Sequence, residues 1–242
     1  MKQKNVIQAP MGETTVLLHT CCAPCSSAII EAMLANGITP VIYYCNPNIY
    51  PREEYEIRKE ECTRYAQALG LEIVDDDYDH EGWLDQIAGL ENEPERGGRC
   101  LKCFKIRLLR TAEYARQRGI KVITTTLASS RWKSLEQINE AGRWACDTLR
   151  QMTVQLSDEA LTRRISAVPE APDQSDSERS ACPAGAVGDR RLGVETVPPD
   201  DIVIWWDQNW RKGGLQERRL QILKEYDFYN QLYCGCEFSM RK

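Results

Sequence analysis

Short apolar runs alternate with amphipathic stretches along this chain, and that alternation constrains its fold more than any other feature. The apolar runs predict strands at 15–19, 40–46, 71–79, 121–127 and 202–207. The amphipathic stretches predict helices, several with serine or proline near their starts and glycine at their ends, at 26–37, 51–70, 80–90, 101–119, 134–152 and 214–229. Strands and helices in alternation are typical of a parallel sheet covered by helices. The sequence therefore predicts one α/β domain over residues 15–239, preceded by an N-terminal tail at 1–14.

Residues 153–200 interrupt this alternation. The segment is rich in Pro, Ser, Ala, Gly, Asp and Glu and has few large apolar side chains. A segment of this composition buries too little apolar surface to offset the entropy lost on ordering. We therefore expect a low-complexity insertion or flexible loop within the domain.

Composition and charge exclude several classes of protein. No apolar run reaches the roughly 18 residues needed to cross a bilayer, and the first residues lack the long apolar stretch of a secretory signal. We expect a cytoplasmic protein with no membrane partner. Because the formal net charge is −5, the protein lacks the basic field of a non-specific nucleic-acid binder, so local basic patches would have to hold any nucleic acid.

Eleven cysteines are present, and in a reducing compartment clustered cysteines more often bind metal or do redox work than form structural disulfides. Four stand alone and are predicted to be structural: Cys45, Cys62, Cys146 and Cys182. The other seven form three groups: Cys21, Cys22 and Cys25 after the first strand, Cys100 and Cys103 at a helix start, and Cys234 and Cys236 around one glycine near the C-terminus.

The position and spacing of these groups indicate chemistry without deciding which kind. Ligands bind at the carboxyl ends of parallel strands, where the first group lies. The pair Cys100 and Cys103 at a helix start favours thiolate, which binds iron or zinc, and four such ligands suit either a [4Fe–4S] cluster or a structural zinc. The pair Cys234 and Cys236 would form a strained, easily reduced disulfide, or else act as metal ligands or as an inert tail.

Six motifs resemble, in order, those of the QueH-type epoxyqueuosine reductase family: LLHTCCAPCS, YYCNPNIYPREEYEIR, GLENEPERGGRCLKCFKIRL, TTTLASSRWKS, WWDQNWRKGGLQERR and YCGCEFS. They extend through most of residues 15–150 and 201–239, whereas 153–200 is longer than the family pattern. The resemblance implies an adenine-nucleotide α-hydrolase-like (HUP/Rossmann-like) α/β fold with its metal site at the C-terminal ends of the strands. It also implies an oxidoreductase that reduces the epoxide of epoxyqueuosine in tRNA, the last step of queuosine biosynthesis, without cobalamin.

Carried over residue by residue, the resemblance assigns a cofactor, site residues and partners. The ligands of a [4Fe–4S] cluster fall on Cys21, Cys22, Cys100 and Cys103. The redox-active, catalytic pair falls on Cys234 and Cys236, and a second, mononuclear iron is expected beside the cluster, within reach of Cys25. The implied partners are tRNA carrying epoxyqueuosine at the anticodon wobble position and an unidentified electron donor.

The proton donor and the RNA contacts are less constrained. His19, at the end of the first strand, is more often a core residue than a catalyst in such a place, and Asp207, Tyr233 and Glu237 are further candidates. Basic residues are concentrated in patches, several of them next to tryptophans, which suit unpaired bases or else form solvated faces around core tryptophans. These patches comprise Arg96, Arg99, Arg131, Lys133, Arg211, Lys212, Arg218 and Arg219.

Two other functions fit parts of the sequence. An ATP-dependent tRNA sulfur transferase of the same fold needs a glycine-rich phosphate loop after the first strand, and HTCCAPCS contains no glycine. A zinc-stabilised, non-catalytic tRNA-binding module would account for four thiols but leaves the CGC pair unexplained.

Overall fold

The structure is a computed structural model and describes residues 6–166, 202–231 and 233–240. Its five strands form one sheet: β1 (Thr15–His19), β2 (Thr39–Tyr44), β3 (Ile73–Asp75), β4 (Val122–Thr125) and β5 (Ile204–Trp205). The α-helices are α1 (Ala23–Ala35), α2 (Arg52–Ala68), α3 (His80–Gln86), α4 (Gly98–Gln117), α5 (Leu135–Ser166) and α6 (Leu215–Glu225). Neighbouring strands are all parallel, so the predicted parallel α/β sheet is confirmed. The finer likeness to adenine-nucleotide α-hydrolases stays a prediction.

The strand order β3-β2-β1-β4-β5 reverses direction between β1 and β4. At the carboxyl ends of these two strands, His19 is in register with Thr125. The loop after β1 and a 3-10 turn after β4, Thr126–Ser129, therefore start side by side, and the Cys21 N–H donates to Thr126 Oγ1 at 3.3 Å. A crevice at such a reversal is the usual ligand site of an open α/β sheet.

The three central strands, β1, β2 and β4, are almost entirely buried, as strands covered by helices on both faces must be. Val16, Leu17 and Leu18 of β1 are fully buried. At the far side of the sheet, α5 crosses β5 so closely that a Cβ on Gly142 would lie 2.1 Å from Trp205 Cδ2. Glycine is required there because the indole ring occupies the space of a side chain.

Several predicted boundaries were wrong. The β3 strand pairs only over Ile73–Asp75 and β5 only over Ile204–Trp205, because both are edge strands and their outer residues find no partner. Helix α4 begins at Gly98, three residues before the predicted start at residue 101. Helix α5 continues past the predicted end at Met152 to Ser166, so the first part of the predicted insertion is helical. The boundary was misplaced because it was predicted from composition, and the polar segment TVQLSDEALTRRIS contains residues that favour helices.

The remainder of the predicted insertion, with Cys182, lies outside the described residues. Among the helices that the structure describes, none has the length and apolar character that crossing a membrane requires.

Candidate thiol-lined active site

Three thiols meet where the strand order reverses, and we call Cys21, Cys22 and Cys25 the thiol trio. Their sulfur atoms all lie within 4.8 Å of one another, and Cys21 Sγ is 3.8 Å from Cys22 Sγ. The loop is short because α1 begins at Ala23, with Pro24 in its first turn. Proline is favoured there since its fixed φ suits a helix and its missing N–H needs no partner. Cys25 follows Cys22 by three residues and therefore lies on the same side of that turn.

The thiols of the trio differ in acidity. Hydrogen bonds from Cys22, Cys25 and the Thr126 hydroxyl, with the Arg107 charge, hold the pKa of Cys21 well below its usual value despite burial. Burial and the neighbouring Cys21 raise the pKa of Cys22. The pKa of Cys25 rises to about 12, first because its thiol is hydrogen-bonded to Cys21. A metal ion bound here would displace the remaining protons, because thiol ligands bind as thiolates.

Cys100 opens onto the same cavity as two thiols of the trio. It lies in the first turn of α4, and its Sγ accepts a hydrogen bond from the Arg96 backbone N–H at 3.3 Å. The backbone N–H at this helix start acts in the predicted direction, because it lowers the pKa of the Cys100 thiol. Burial raises the pKa of Cys100, because it outweighs the Arg96 N–H and the nearby Lys133 charge.

Cys103 lies one turn further along α4 and belongs to a different environment. It is buried in a small apolar cluster with Trp83, Ile87, Ile106 and Cys236. It is absent from the cavity wall that Cys100 lines. The structure therefore brings Cys100 towards the trio and packs Cys103 against the C-terminal cysteine loop.

The loop that carries Cys234 and Cys236 is held by a buried arginine of α2. Arg58 donates to the carbonyl oxygen of Tyr233 at 3.3 Å and to that of Cys234 at 3.4 Å. It also forms an ion pair with Glu54, with Arg58 Nη2 2.6 Å from Glu54 Oε1, and both side chains are buried. Because a buried guanidinium needs its donors satisfied, these carbonyls fix the start of the loop.

Gly235, between the two cysteines, permits a close approach that no other residue would. Its φ is +100°, and a Cβ there would lie 2.8 Å from Ile49 Cγ1 and 3.1 Å from Arg58 Nη1. Its carbonyl oxygen accepts a hydrogen bond from the Tyr50 N–H at 2.9 Å. The CGC spacing is therefore explained by docking of the loop onto the segment after β2.

Cys234 and Cys236 are both free thiols, and their acidities differ. Burial raises the pKa of Cys234, but the Lys133 charge, the Cys236 backbone N–H and the Ser239 hydroxyl together hold it below its usual value. Burial raises the pKa of Cys236 to about 11. Cys234 also lines the cavity, whereas Cys236 is 6% exposed. Cys234 is therefore the accessible and more acidic thiol of the pair, and Cys236 is the buried and less acidic one.

The cavity onto which Cys21, Cys25, Cys100 and Cys234 open has a volume of about 1130 Å³, and we call it the thiol cavity. The wall of the cavity is strongly cationic although the chain carries a net charge of −5. Among the described residues that line the cavity, Glu95 is the only acidic one. The lining cations are Arg58, Arg96, Arg107, Arg131, Lys133, Arg211 and Arg219. The cavity therefore suits a large, negatively charged ligand.

Arg107, which sequence reasoning missed, is the least exposed of these cations. It is 2% exposed, and Nε donates to the Cys45 carbonyl oxygen at 3.2 Å while Nη2 donates to Asn46 Oδ1. Within the described residues these neutral oxygens, not a carboxylate, are its hydrogen-bond acceptors. Its charge therefore remains available to the thiolates nearby. The sequence did carry a signal for Arg107. It lies on the buried face of the amphipathic helix α4, between Cys103 and Thr111, where an apolar residue is expected.

Gln231 is a second residue that sequence reasoning missed. Its Nε2 lies 2.7 Å from Cys22 Sγ and 3.9 Å from Cys25 Sγ, so the amide donates to the trio. Its Oε1 is buried and has no hydrogen-bond partner among the described residues. Donors to ligand sulfur stabilise its negative charge, so Gln231 supports metal binding by the trio. No motif in the sequence pointed to this residue.

The four candidate proton donors differ in their burial, in their hydrogen-bond partners and in whether they line the thiol cavity. His19 is fully buried, with Nδ1 2.7 Å from Thr125 Oγ1 and Nε2 3.0 Å from the Cys45 carbonyl oxygen, and burial lowers its pKa to about 3. It is therefore a neutral core histidine. Glu237 pairs with His80, Asp207 is exposed elsewhere, and neither lines the thiol cavity. Tyr233 does line it, but its hydroxyl donates to the Tyr50 carbonyl and burial raises its pKa to about 12.

The predicted basic patches are only partly free. Arg99 is buried and donates to the carbonyl oxygens of Glu91 and Glu93, both at 2.6 Å. Arg218 forms ion pairs with Glu31 and Glu225. Five members of the patches do line the thiol cavity: Arg96, Arg131, Lys133, Arg211 and Arg219.

The described single cysteines agree with their predicted structural role. Cys45, Cys62 and Cys146 are buried and free, and burial raises the pKa of each thiol. None lines the thiol cavity.

Comparison with known proteins identifies a family whose sequences are similar to this chain. A family model described as epoxyqueuosine reductase QueH matches residues 16–164 and 191–242. The unmatched residues between these two segments fall inside the predicted insertion.

Curated proteins named epoxyqueuosine reductase QueH match nearly the whole chain. The Haemophilus influenzae protein is 39% identical over 238 residues, which cover 98% of this chain and 76% of the relative. The Histophilus somni protein is 38% identical over 235 residues, covering 97% and 76%. The Acinetobacter baylyi protein is 37% identical over 240 residues, covering 99% and 87%.

Proposed function

The chain belongs to the epoxyqueuosine reductase QueH family, and on that premise we propose that it reduces the epoxide of epoxyqueuosine in tRNA to give queuosine. The observation that carries the proposal is the convergence of thiols from all three cysteine groups on one cationic cavity. The trio supplies metal ligands, and the C-terminal loop supplies a dithiol. The cationic wall matches an RNA substrate, and the reaction belongs in the cytoplasm, where tRNA is modified.

The donor set fits a metal centre. Two thiolates that share one tetrahedral ion with metal–sulfur distances of about 2.3 Å lie about 3.8 Å apart, and Cys21 Sγ and Cys22 Sγ are separated by 3.8 Å. The Gln231 amide and the Arg107 guanidinium would stabilise the negative charge of bound thiolates. The trio as it stands suits a single ion. A [4Fe–4S] cluster takes one thiolate per iron, so it would also need ligands from across the cavity.

We propose Cys21, Cys22, Cys100 and Cys103 as ligands of a [4Fe–4S] cluster, with Cys25 binding a second, mononuclear iron. Packing supports Cys100 in this set more strongly than Cys103, because Cys103 lies in the apolar cluster behind the cavity wall. Measuring iron and sulfide in Cys103→Ser and Cys25→Ser proteins shows which of these two cysteines is a ligand of the cluster. Loss of the cluster in Cys103→Ser would support the set, whereas loss in Cys25→Ser alone would transfer that role to Cys25.

Reduction of an epoxide to an alkene consumes two electrons and two protons and releases one water. When bound, an iron–sulfur cluster supplies single electrons, and an iron with an open position supplies a Lewis acid for the epoxide oxygen. Oxidation of Cys234 and Cys236 to a disulfide yields two electrons and two protons, which balances the reaction. The external electron donor then reduces the disulfide. Cys234, as the accessible and more acidic thiol, is the sulfur that we expect to take part in that exchange.

The residues around the thiols have distinct tasks. Burial lowers the pKa of Lys133, but the negative charge of the nearby thiolates raises it above its usual value, so the ammonium group stays charged. Lys133 and Arg107 therefore stabilise negative charge that develops in the cavity. Arg58 holds the dithiol loop in place through the carbonyl oxygens of Tyr233 and Cys234.

Two measurements on anaerobically purified protein test the proposal. The first counts iron, sulfide and zinc, and we expect about four irons and four sulfides per chain, or more iron if the second site is filled. The second measures epoxide reduction in tRNA under multiple turnover. A Cys234→Ser/Cys236→Ser variant should keep its cluster and lose turnover, whereas Cys146→Ser, outside the cavity, should keep both. Full turnover by the double variant would refute the relay.

The alternatives make different predictions in the same experiments. Stoichiometric zinc, no sulfide after anaerobic reconstitution and no reduction would favour the zinc-stabilised RNA-binding module. ATP-dependent incorporation of sulfur into tRNA would favour the sulfur transferase. The loop Thr20–Cys22 before α1 contains no glycine, and Pro24 removes one N–H donor from the helix start, so the structure offers little to bind a pyrophosphate.

A further inference from the structure

Trp132 stands apart from the other tryptophans of the chain. Four of the six are buried, namely Trp83, Trp205, Trp206 and Trp210. Trp144 on α5 is 37% exposed, whereas Trp132 is 63% exposed and lines the thiol cavity. Burial would remove a large apolar area from water, so an indole left in solvent at the wall of a cavity requires an explanation.

The loop that carries Trp132 is held rigidly. Each of the four consecutive carbonyl oxygens of residues 130–133 accepts a hydrogen bond from an arginine of another segment. Arg211 Nη2 donates to the first and the fourth, of Ser130 at 2.6 Å and of Lys133 at 2.7 Å. Arg96 donates to the second at 3.0 Å and to the third at 2.8 Å. An exposed ring on such a loop loses little conformational entropy when it binds a ligand.

The surroundings of the ring are positively charged. The guanidinium carbon of Arg131 lies 5.5 Å from the centroid of a Trp132 ring. Lys133 follows in the loop, and Arg96 and Arg211 lie beneath it through the hydrogen bonds described above. An aromatic ring among cations suits a ligand that combines flat π surfaces with negative charge, which describes single-stranded RNA.

We propose that Trp132 is a stacking platform for an unpaired nucleobase of the RNA substrate, next to the nucleotide that enters the thiol cavity. The inference rests on the proposed function for the identity of the RNA and deepens it by assigning a base-contacting residue. Arg131 lies over the ring, so the base stacks on the opposite face and its phosphates meet the surrounding arginines. The contact recognises any base through its π face and contributes affinity and register rather than sequence specificity.

The test measures the dissociation constant of an unmodified anticodon stem–loop RNA for the intact, metal-loaded protein. Trp132→Ala should weaken binding about 5- to 150-fold, the effect of losing one base–aromatic stack. Trp132→Phe should retain most of the affinity because it keeps a ring. Trp144→Ala is the matched control, since Trp144 is also exposed and lies near a cation, with Lys105 Nζ 5.5 Å from the ring centroid, and should bind as the wild type does.

Abasic substitutions in the RNA loop identify the stacked base without altering the protein. One abasic position should weaken wild-type binding by a factor similar to that of Trp132→Ala, and the same position should have no further effect in that variant. Equal binding by Trp132→Ala and the wild type, an equal loss in Trp144→Ala, or the absence of any such abasic position would overturn the proposal. Because the RNA carries no epoxide, these outcomes are independent of whether the protein is a reductase.

Discussion

Replacing Gly235 with alanine is expected to release the dithiol loop from the body of the protein. A φ of +100° costs a residue with a side chain about 1–2 kcal/mol. The new Cβ would lie 2.8 Å from Ile49 Cγ1 and 3.1 Å from Arg58 Nη1, and such overpacking adds about 1–3 kcal/mol. The sum, about 2–5 kcal/mol, favours local opening of the loop by about 30-fold or more.

Alkylation of Cys236 measures this opening directly, because its thiol is 6% exposed while the loop is docked. We expect the alkylation rate in reduced Gly235→Ala protein to rise by about the same factor of 30 or more, with loss of multiple-turnover activity. Gly119→Ala is the control, since Gly119 has a φ of +66° and nothing within 4 Å of the added Cβ, so it introduces strain without overlap. Wild-type alkylation of Cys236 and full activity in Gly235→Ala would show that the loop is not held in this way.

Two further substitutions test the electrostatics of the cavity and the packing of the sheet. Lys133→Met removes a charge that lowers the pKa of Cys234. Alkylation of Cys234 at pH 7 should therefore slow by about 3- to 10-fold, because less of the thiol is ionised. The two proteins should react at the same rate at a pH above the Cys234 pKa of both. Lys133→Arg should keep the wild-type pH profile, and an unchanged profile in Lys133→Met would contradict the assignment. Gly142→Ala should lower the free energy of unfolding by about 2 kcal/mol despite better helix propensity, because its Cβ would lie 2.1 Å from the Trp205 ring. Gly98→Ala, whose Cβ would meet nothing within 3.5 Å, should change it little, and a stabilised Gly142→Ala protein would refute the packing.

The fold was largely predictable because its sheet is buried on both sides. Buried parallel strands are short apolar runs, and β1 ends where the sequence predicts, at His19. The edges were less predictable, since the length over which β3 and β5 pair depends on their neighbours rather than on their own residues. The end of α5 was misjudged for a related reason, because a polar helical segment and a polar loop have similar compositions.

The part of the site that depends on residue type and spacing was predictable from the sequence. The trio and the CGC loop were identified from the positions of cysteines alone. Arg107, Arg58 and Gln231 were missed because arginine and glutamine are common on solvated surfaces, and only the tertiary structure reveals that these three are turned inwards. Arg99 is the opposite case. It was predicted to belong to a basic RNA-binding patch, but its guanidinium is buried and donates hydrogen bonds to backbone carbonyl oxygens.

The positive charges of the cavity form two sets with different tasks. Arg107 is buried beneath the thiols, where its charge acts through a medium of low dielectric and salt screens it little. Arg131 and Arg219, which we call the rim, line the cavity and are exposed and half-buried respectively, so solvent screens them and phosphates could reach them. If RNA is the substrate, as proposed, this acidic chain would bind it at the rim and stabilise thiolates with Arg107, and ionic strength would separate the two functions. Higher salt would weaken the rim contacts while leaving the acidity of Cys21 almost unchanged, because that acidity is set by thiol hydrogen bonds, Thr126 and Arg107.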